Sequence, residues 1–176
     1  MHSQTASQYL SSRPCYSVSP HRRCRRYRSE YGCRQVQPDF QQLRQFEPVG
    51  DRFQKLGIAL KGAIALQPSN PKYLNPQMHP VLMPLQDQGE IRILLHRPFS
   101  QVKICVRSRG EVTLTALDHR GQCITQGCTR EAIQTASSSA QFVPTVWLSV
   151  AANQLASLVL SAKVPFVIEA IQLTGS

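Results

Sequence analysis

The sequence predicts an all-β domain, a jelly-roll-like antiparallel sandwich of about ten strands behind a basic N-terminal tail. Three observations carry this expectation. Short apolar runs recur after Phe40, each closed by Gly, Pro, Asn or Asp, the spacing of a sandwich or barrel. Apolar and polar residues alternate with a period of two through the middle of the chain, as they do on a half-buried strand. No repeat of fixed period is present, which argues against a propeller or solenoid.

Residues 1–36 mix Ser, Gln, Pro and Arg without helical or alternating period. Such a segment buries too little apolar surface to offset its ordering entropy, so it reads as a disordered tail. Seven arginines against Glu30 give it a charge of 7 − 1 = +6 out of +10 for the whole chain. The run His21-Arg22-Arg23-Cys24-Arg25-Arg26-Tyr27-Arg28 suits contact with an anionic partner, whether protein, nucleic acid or membrane surface. Arg22, Arg23, Arg25, Arg26 and Arg28 would supply counterion release and Tyr27 a stacking face. The Ser- and Arg-rich composition also loosely resembles an organelle transit peptide.

From residue 37 to 176 the expected strands are Leu56–Leu60, Gly62–Gln67, Val81–Leu85, Glu90–His96, Gln101–Ser108, Glu111–Asp118, Gln122–Thr125, Thr145–Val150, Ser157–Ala162 and Phe166–Leu173. In the central ones Ile91, Ile93 and Leu95 oppose Arg92 and His96. Val102, Ile104 and Val106 likewise oppose Lys103, Cys105 and Arg107, and Val112, Leu114 and Ala116 oppose Thr113 and Thr115. Read in order, these three strands form a meander, with turns at residues 96–100 and at Arg109-Gly110, where glycine permits positive φ. A hairpin loop follows at Asp118-His119-Arg120-Gly121. Outward Arg92, His96, Lys103 and Arg107 would then form one basic patch. Residues 150–160 are also compatible with a short helix.

Several segments in order resemble the bacterial galactose-binding-like, or carbohydrate-binding-module-like, jelly-roll sandwiches of exported proteins. They are Leu56-Gly57-Ile58, Gly62-Ala63-Ile64, Gln67-Pro68-Ser69-Asn70-Pro71, the stretch from Ile93 to Val102, Leu114 to Asp118 with Gly121, and Pro165-Phe166-Val167-Ile168-Glu169. The resemblance implies a non-catalytic binding or accessory module with a glycan among its partners. The chain departs from the pattern after the closing Phe-x-Ile, where Glu169 is followed by Ala170, and no signal-peptide or transmembrane stretch is seen. A calcium site and a location therefore do not carry over.

Three residues are the ligand-binding candidates. Trp147 is the only tryptophan, and alternation sets it beside Thr145 and Ser149, opposite Val146, Leu148 and Val150. An aromatic face among hydroxyls can stack on a sugar ring or a base. Asn70 and Tyr73 belong to a proline-stiffened loop that offers amide and hydroxyl groups. Asp and Glu are absent between Ile58 and Gln86, which tells against calcium there.

Cys123 and Cys128 flank what reads as a short loop near His119, at the edge of zinc-ligand spacing and without a fourth ligand. Cys15, Cys24 and Cys33 stand eight residues apart in the tail and match no metal pattern. No catalytic elbow, zinc helix motif or phosphate loop occurs, so neither an enzyme nor a cofactor is expected. A structural or protein-interaction domain that uses its basic tail is the alternative to a glycan-binding module.

Overall fold

The computed structural model describes residues 35–70, 73, 79–85, 89–129, 143 and 145–175. All of them belong to one compact unit, Gly32–Ser176. The arginine run and the three cysteines of the tail lie outside the described residues.

Eleven strands form a single antiparallel sheet that rolls into two facing walls. They are β1 (Gln35–Val36), β2 (Pro48–Gly50), β3 (Ile58–Leu66), β4 (Val81–Pro84), β5 (Glu90–Leu95), β6 (Phe99–Ser108), β7 (Val112–Leu117), β8 (Cys123–Cys128), β9 (Thr145–Ala151), β10 (Ser157–Ala162) and β11 (Phe166–Gly175). The path through the sheet is β8-β7-β10-β5-β3-β4-β11-β6-β9, with β1 added to β11 and β2 to β3. The inward residues meet in one core, in which Phe166, Ile91, Ile93, Ile104, Leu114, Leu158 and Leu160 are fully buried. No described helix is long and apolar enough to cross a membrane.

β3 is the hinge of the roll. Its first half, Ile58 to Lys61, pairs with β5, and its second half, Ala63 to Leu66, pairs with β4. Between them Gly62 adopts φ +75, and a Cβ there would lie 2.7 Å from the Glu90 carbonyl oxygen. Only glycine tolerates both the positive φ and the close approach. The two strands expected at Leu56–Leu60 and Gly62–Gln67 are therefore one strand with a corner. The short strands β1 and β2 carry too little alternation to be recognised by pattern.

The meander is the main correction. β5 pairs with β3 and β10, β6 with β11 and β9, and β7 with β10 and β8. The turns at residues 96–100 and 109–110 thus carry the chain across the core from one wall to the other. Alternation reports which side of a strand is buried and is silent about its neighbours. Gly110 has no positive φ; it is needed because a Cβ would meet Val164 Cγ2 at 2.5 Å. The loop at Asp118–Gly121 is a true hairpin: Asp118 N–H donates to the Gln122 carbonyl at 3.0 Å, and Gly121 has φ +75. Residues 150–160 form the end of β9, a turn and the start of β10, with no helix.

Candidate functional site

The outer face of the wall β11-β6-β9 is ordered in rows by its register. Val167, Arg107 and Thr145 pair across the three strands, then Ala170, Cys105 and Trp147, then Gln172, Lys103 and Ser149. Neighbouring strands lie about 4.8 Å apart, so each row spans roughly 10 Å of backbone. Trp147 is 48% exposed on this face, while Leu148 and Val150 turn inward to the core. The structure thus presents the indole with the hydroxyl-bearing Thr145 and Ser149 on either side along β9, as alternation expected.

Beside the indole the face holds a desolvated charge pair. Arg107 Nη2 lies 2.7 Å from Glu169 Oε1, with side chains only 8% and 11% exposed. The Thr145 hydroxyl donates to Glu169 Oε2 at 3.4 Å, and the Cys105 thiol donates to the same oxygen at 3.9 Å. Burial, followed by the negative charge of Glu169, pushes the Cys105 thiol up to about 12. The thiol therefore stays protonated at neutral pH and is no nucleophile.

Glu169 sits at a β-bulge. Ile168 pairs with Val106 and Ala170 with Cys105, so Glu169 is an extra residue on β11. A bulge breaks the alternation: Glu169 and Ala170 together separate the buried Ile168 from the buried Ile171, so both isoleucines stay in the core. The sequence carries a trace of this: Ile168 and Ile171 are both fully buried although three residues apart, which a period of two forbids.

The basic patch expected from Arg92, His96, Lys103 and Arg107 does not form. Arg92 lies in β5 and His96 directly after it, in the wall opposite β6, and Arg107 is buried in its ion pair with Glu169. Only Lys103 is an exposed cation of β6.

Asn70 and Tyr73 lie elsewhere on the domain. Together with Leu66, Met83, Arg109 and Val167 they line a cavity of about 540 Å³ at the end where β6 and β10 finish. The Tyr73 hydroxyl donates to the Pro165 carbonyl at 3.5 Å. Trp147 is not part of that cavity, so the three candidates do not share one site. A second cavity of about 410 Å³ adjoins the ion pair and is lined by Gln37, Asp39, Gln41, His79, Cys105 and Glu169.

Cys123 and Cys128 are the two ends of β8 and not the flanks of a loop. Five residue steps of extended strand separate them by roughly 17 Å, too far for a disulfide or a shared metal. Among the described residues no three His, Cys, Asp or Glu side chains group in a way that could hold a metal ion.

No family model and no curated protein matches the chain. Among solved structures, a cleaved adhesin domain of Lys-gingipain from Porphyromonas gingivalis is similar at TM-score 0.49 and 8% identity, covering 81% of this chain and 99% of that one. A family 29 carbohydrate binding module complexed with cellulohexaose is similar at TM-score 0.44 and 11% identity, over 81% and 94% of the two chains. An arabinose-bound α-L-arabinofuranosidase gives TM-score 0.44 and 11% identity over 77% of this chain, which spans 25% of that enzyme.

Proposed function

We propose that the domain is a non-catalytic binding module that takes a carbohydrate on the outer face of β11-β6-β9, with Trp147 as its stacking platform. The observation that carries the reading is a half-exposed indole on a regular strand, between two hydroxyl side chains and one row from a buried guanidinium–carboxylate pair. A sugar ring offers an apolar C–H face to stack on an aromatic and hydroxyls at its rim to hydrogen-bond polar groups. The buried pair costs stability for its desolvation, and such charges collect at functional surfaces.

The same geometry supports a module without catalysis. Glu169 is neutralised by Arg107 and Cys105 is held protonated, so this face has neither a free base nor a thiolate. The test is retention on a panel of polysaccharides by the wild type and by Trp147→Ala. Retention of at least one glycan, weakened at least about tenfold in the variant, is expected, since a stacked ring contributes on the order of 1 kcal/mol or more. Failure to retain any glycan would overturn the reading.

A further inference from the structure

A separate cavity of about 440 Å³ lies at the end of the sandwich where β5 and β9 finish and β6 and β10 begin. Its mouth is made by three turns, at residues 96–98, at His119 and at residues 152–155. Along β9 it begins at Ala152, five residues and roughly 17 Å from Trp147.

Arg97 is the permanent charge among the residues that line this mouth. His96, Arg97 and His119 line it, with the amides of Asn153 and Gln154 and the hydroxyl of Ser100, and no Asp or Glu is among the lining residues. The nearest acid in sequence, Asp118, is occupied: its Oδ1 accepts from Arg120 N–H at 2.8 Å and from Gln122 N–H at 2.9 Å. Arg97 forms no ion pair among the described residues.

The mouth is also held in shape. His96 N–H donates to the Gly57 carbonyl at 2.8 Å, Leu95 N–H to Ala156 at 2.9 Å and Ala152 N–H to Ser100 at 3.2 Å. Ala156 N–H in turn donates to Leu117 at 3.0 Å, which ties the turns to β7. The aliphatic stem of Arg97 occupies space that a side chain at position 57 would need, since a Cβ on Gly57 would lie 2.7 Å from Arg97 Cγ and Cδ. The stem of Arg97 thus packs over the Gly57 backbone. Gln154 stands at φ +67, a strained backbone for a non-glycine residue and a feature that clusters at ligand sites.

We infer that this mouth is a binding site for an oxyanion carried on a small ligand, with Arg97 as its main contact. A planar guanidinium matches a carboxylate, sulfate or phosphate edge through paired N–H donors, and neutral amide and hydroxyl donors complete the shell. The cavity is larger than a bare tetrahedral ion needs, so the anion is a substituent on a compact body.

The probes are glucuronate, inorganic sulfate, inorganic phosphate and, as the uncharged match, glucose, titrated into the full chain while backbone amide shifts are followed by NMR. At least one anion is expected to shift the amides of Arg97, Ser100 and Asn153 saturably, and glucose is expected to leave them unmoved. Which anion binds identifies the oxyanion group that the ligand carries. Arg97→Gln should weaken the shift at least about tenfold, whereas Arg120→Gln, outside the cavity, should retain it. Both residues are exposed, and an unchanged melting temperature would show that the variants are folded. Trp147→Ala should leave these shifts intact, which separates this site from the proposed glycan face. Absence of any saturable shift at millimolar anion would overturn the proposal, as would equal binding by wild type and Arg97→Gln, or binding of glucose as tight as that of glucuronate.

Discussion

The two outer faces of this sandwich are built from the same kind of strand and differ in what they hide. On the wall β7-β10-β5, Thr113, Thr115, Val159, Ser161 and Arg92 face outward at intermediate or full exposure. The Arg92–Glu90 pair there spans 3.2 Å with side chains 46% and 54% exposed. On β11-β6-β9 the corresponding pair, Arg107–Glu169, is removed from water and lies beside an exposed indole. One face is ordinary solvated sheet. The other combines buried charge with a half-exposed indole, and it is the face on which the proposed glycan site lies.

The sharpest way to break this contrast is to remove one cation from each face. Arg107→Ala leaves Glu169 buried without its partner, and such losses cost about 3–5 kcal/mol. Urea unfolding monitored by circular dichroism should show this as a large drop in midpoint. A drop under about 1 kcal/mol would mean that the pair is solvated and the two faces alike.

Next in size is the behaviour of the Cys105 thiol. With its titration raised from 9.0 to about 12 in the fold, the folded state holds the proton more tightly than the unfolded chain does. Its contribution to stability is complete below about pH 9 and is lost as the pH rises towards 12. Cys105→Ala should flatten that alkaline decline. At pH 8 only about one thiol in ten thousand is ionised at such a value, so peptide mapping after brief alkylation should find Cys123 modified and Cys105 intact. Rapid alkylation of Cys105 would show the outer face of β6 to be open to water.

Trp147→Ala sharpens the comparison at the level of binding. Affinity for a retained glycan should fall at least about tenfold while stability changes little, because the indole is half exposed. Thr115→Ala on the opposite face should leave retention unchanged. Equal losses for the two variants would place the glycan elsewhere. The smallest effect is expected for Arg92→Ala, under about 1 kcal/mol in the same unfolding measurement, since exposed ion pairs contribute little.

Much of the fold was legible because strands with one buried face announce themselves by alternation. The inward sets Ile91, Ile93, Leu95 and Val102, Ile104, Val106 and Val112, Leu114, Ala116 are all in the core, and Trp147 points away from it. The partner of Glu169 was not legible, because β11 pairs with β6, a strand distant in sequence, and the bulge shifts their register by one residue. Neither was the mouth containing His96, Arg97 and His119, since its three turns are distant in sequence.

By itself the amino-acid sequence determined the class of the fold, the approximate bounds of nine strands and the outward direction of the tryptophan. These follow from local chemistry: pleat geometry, β-branching, and turn residues such as Asp118 and Gly121. Which strand lies beside which was decided only in three dimensions. The crossing of the chain between walls at residues 96–100 and 109–110 brings Arg107, Cys105, Glu169 and Thr145 onto one face from three separate strands. Desolvation then turned an arginine that reads as surface charge into half of a buried pair. Burial and pairing are properties of the packed sheet, and no single strand carries them in its own pattern.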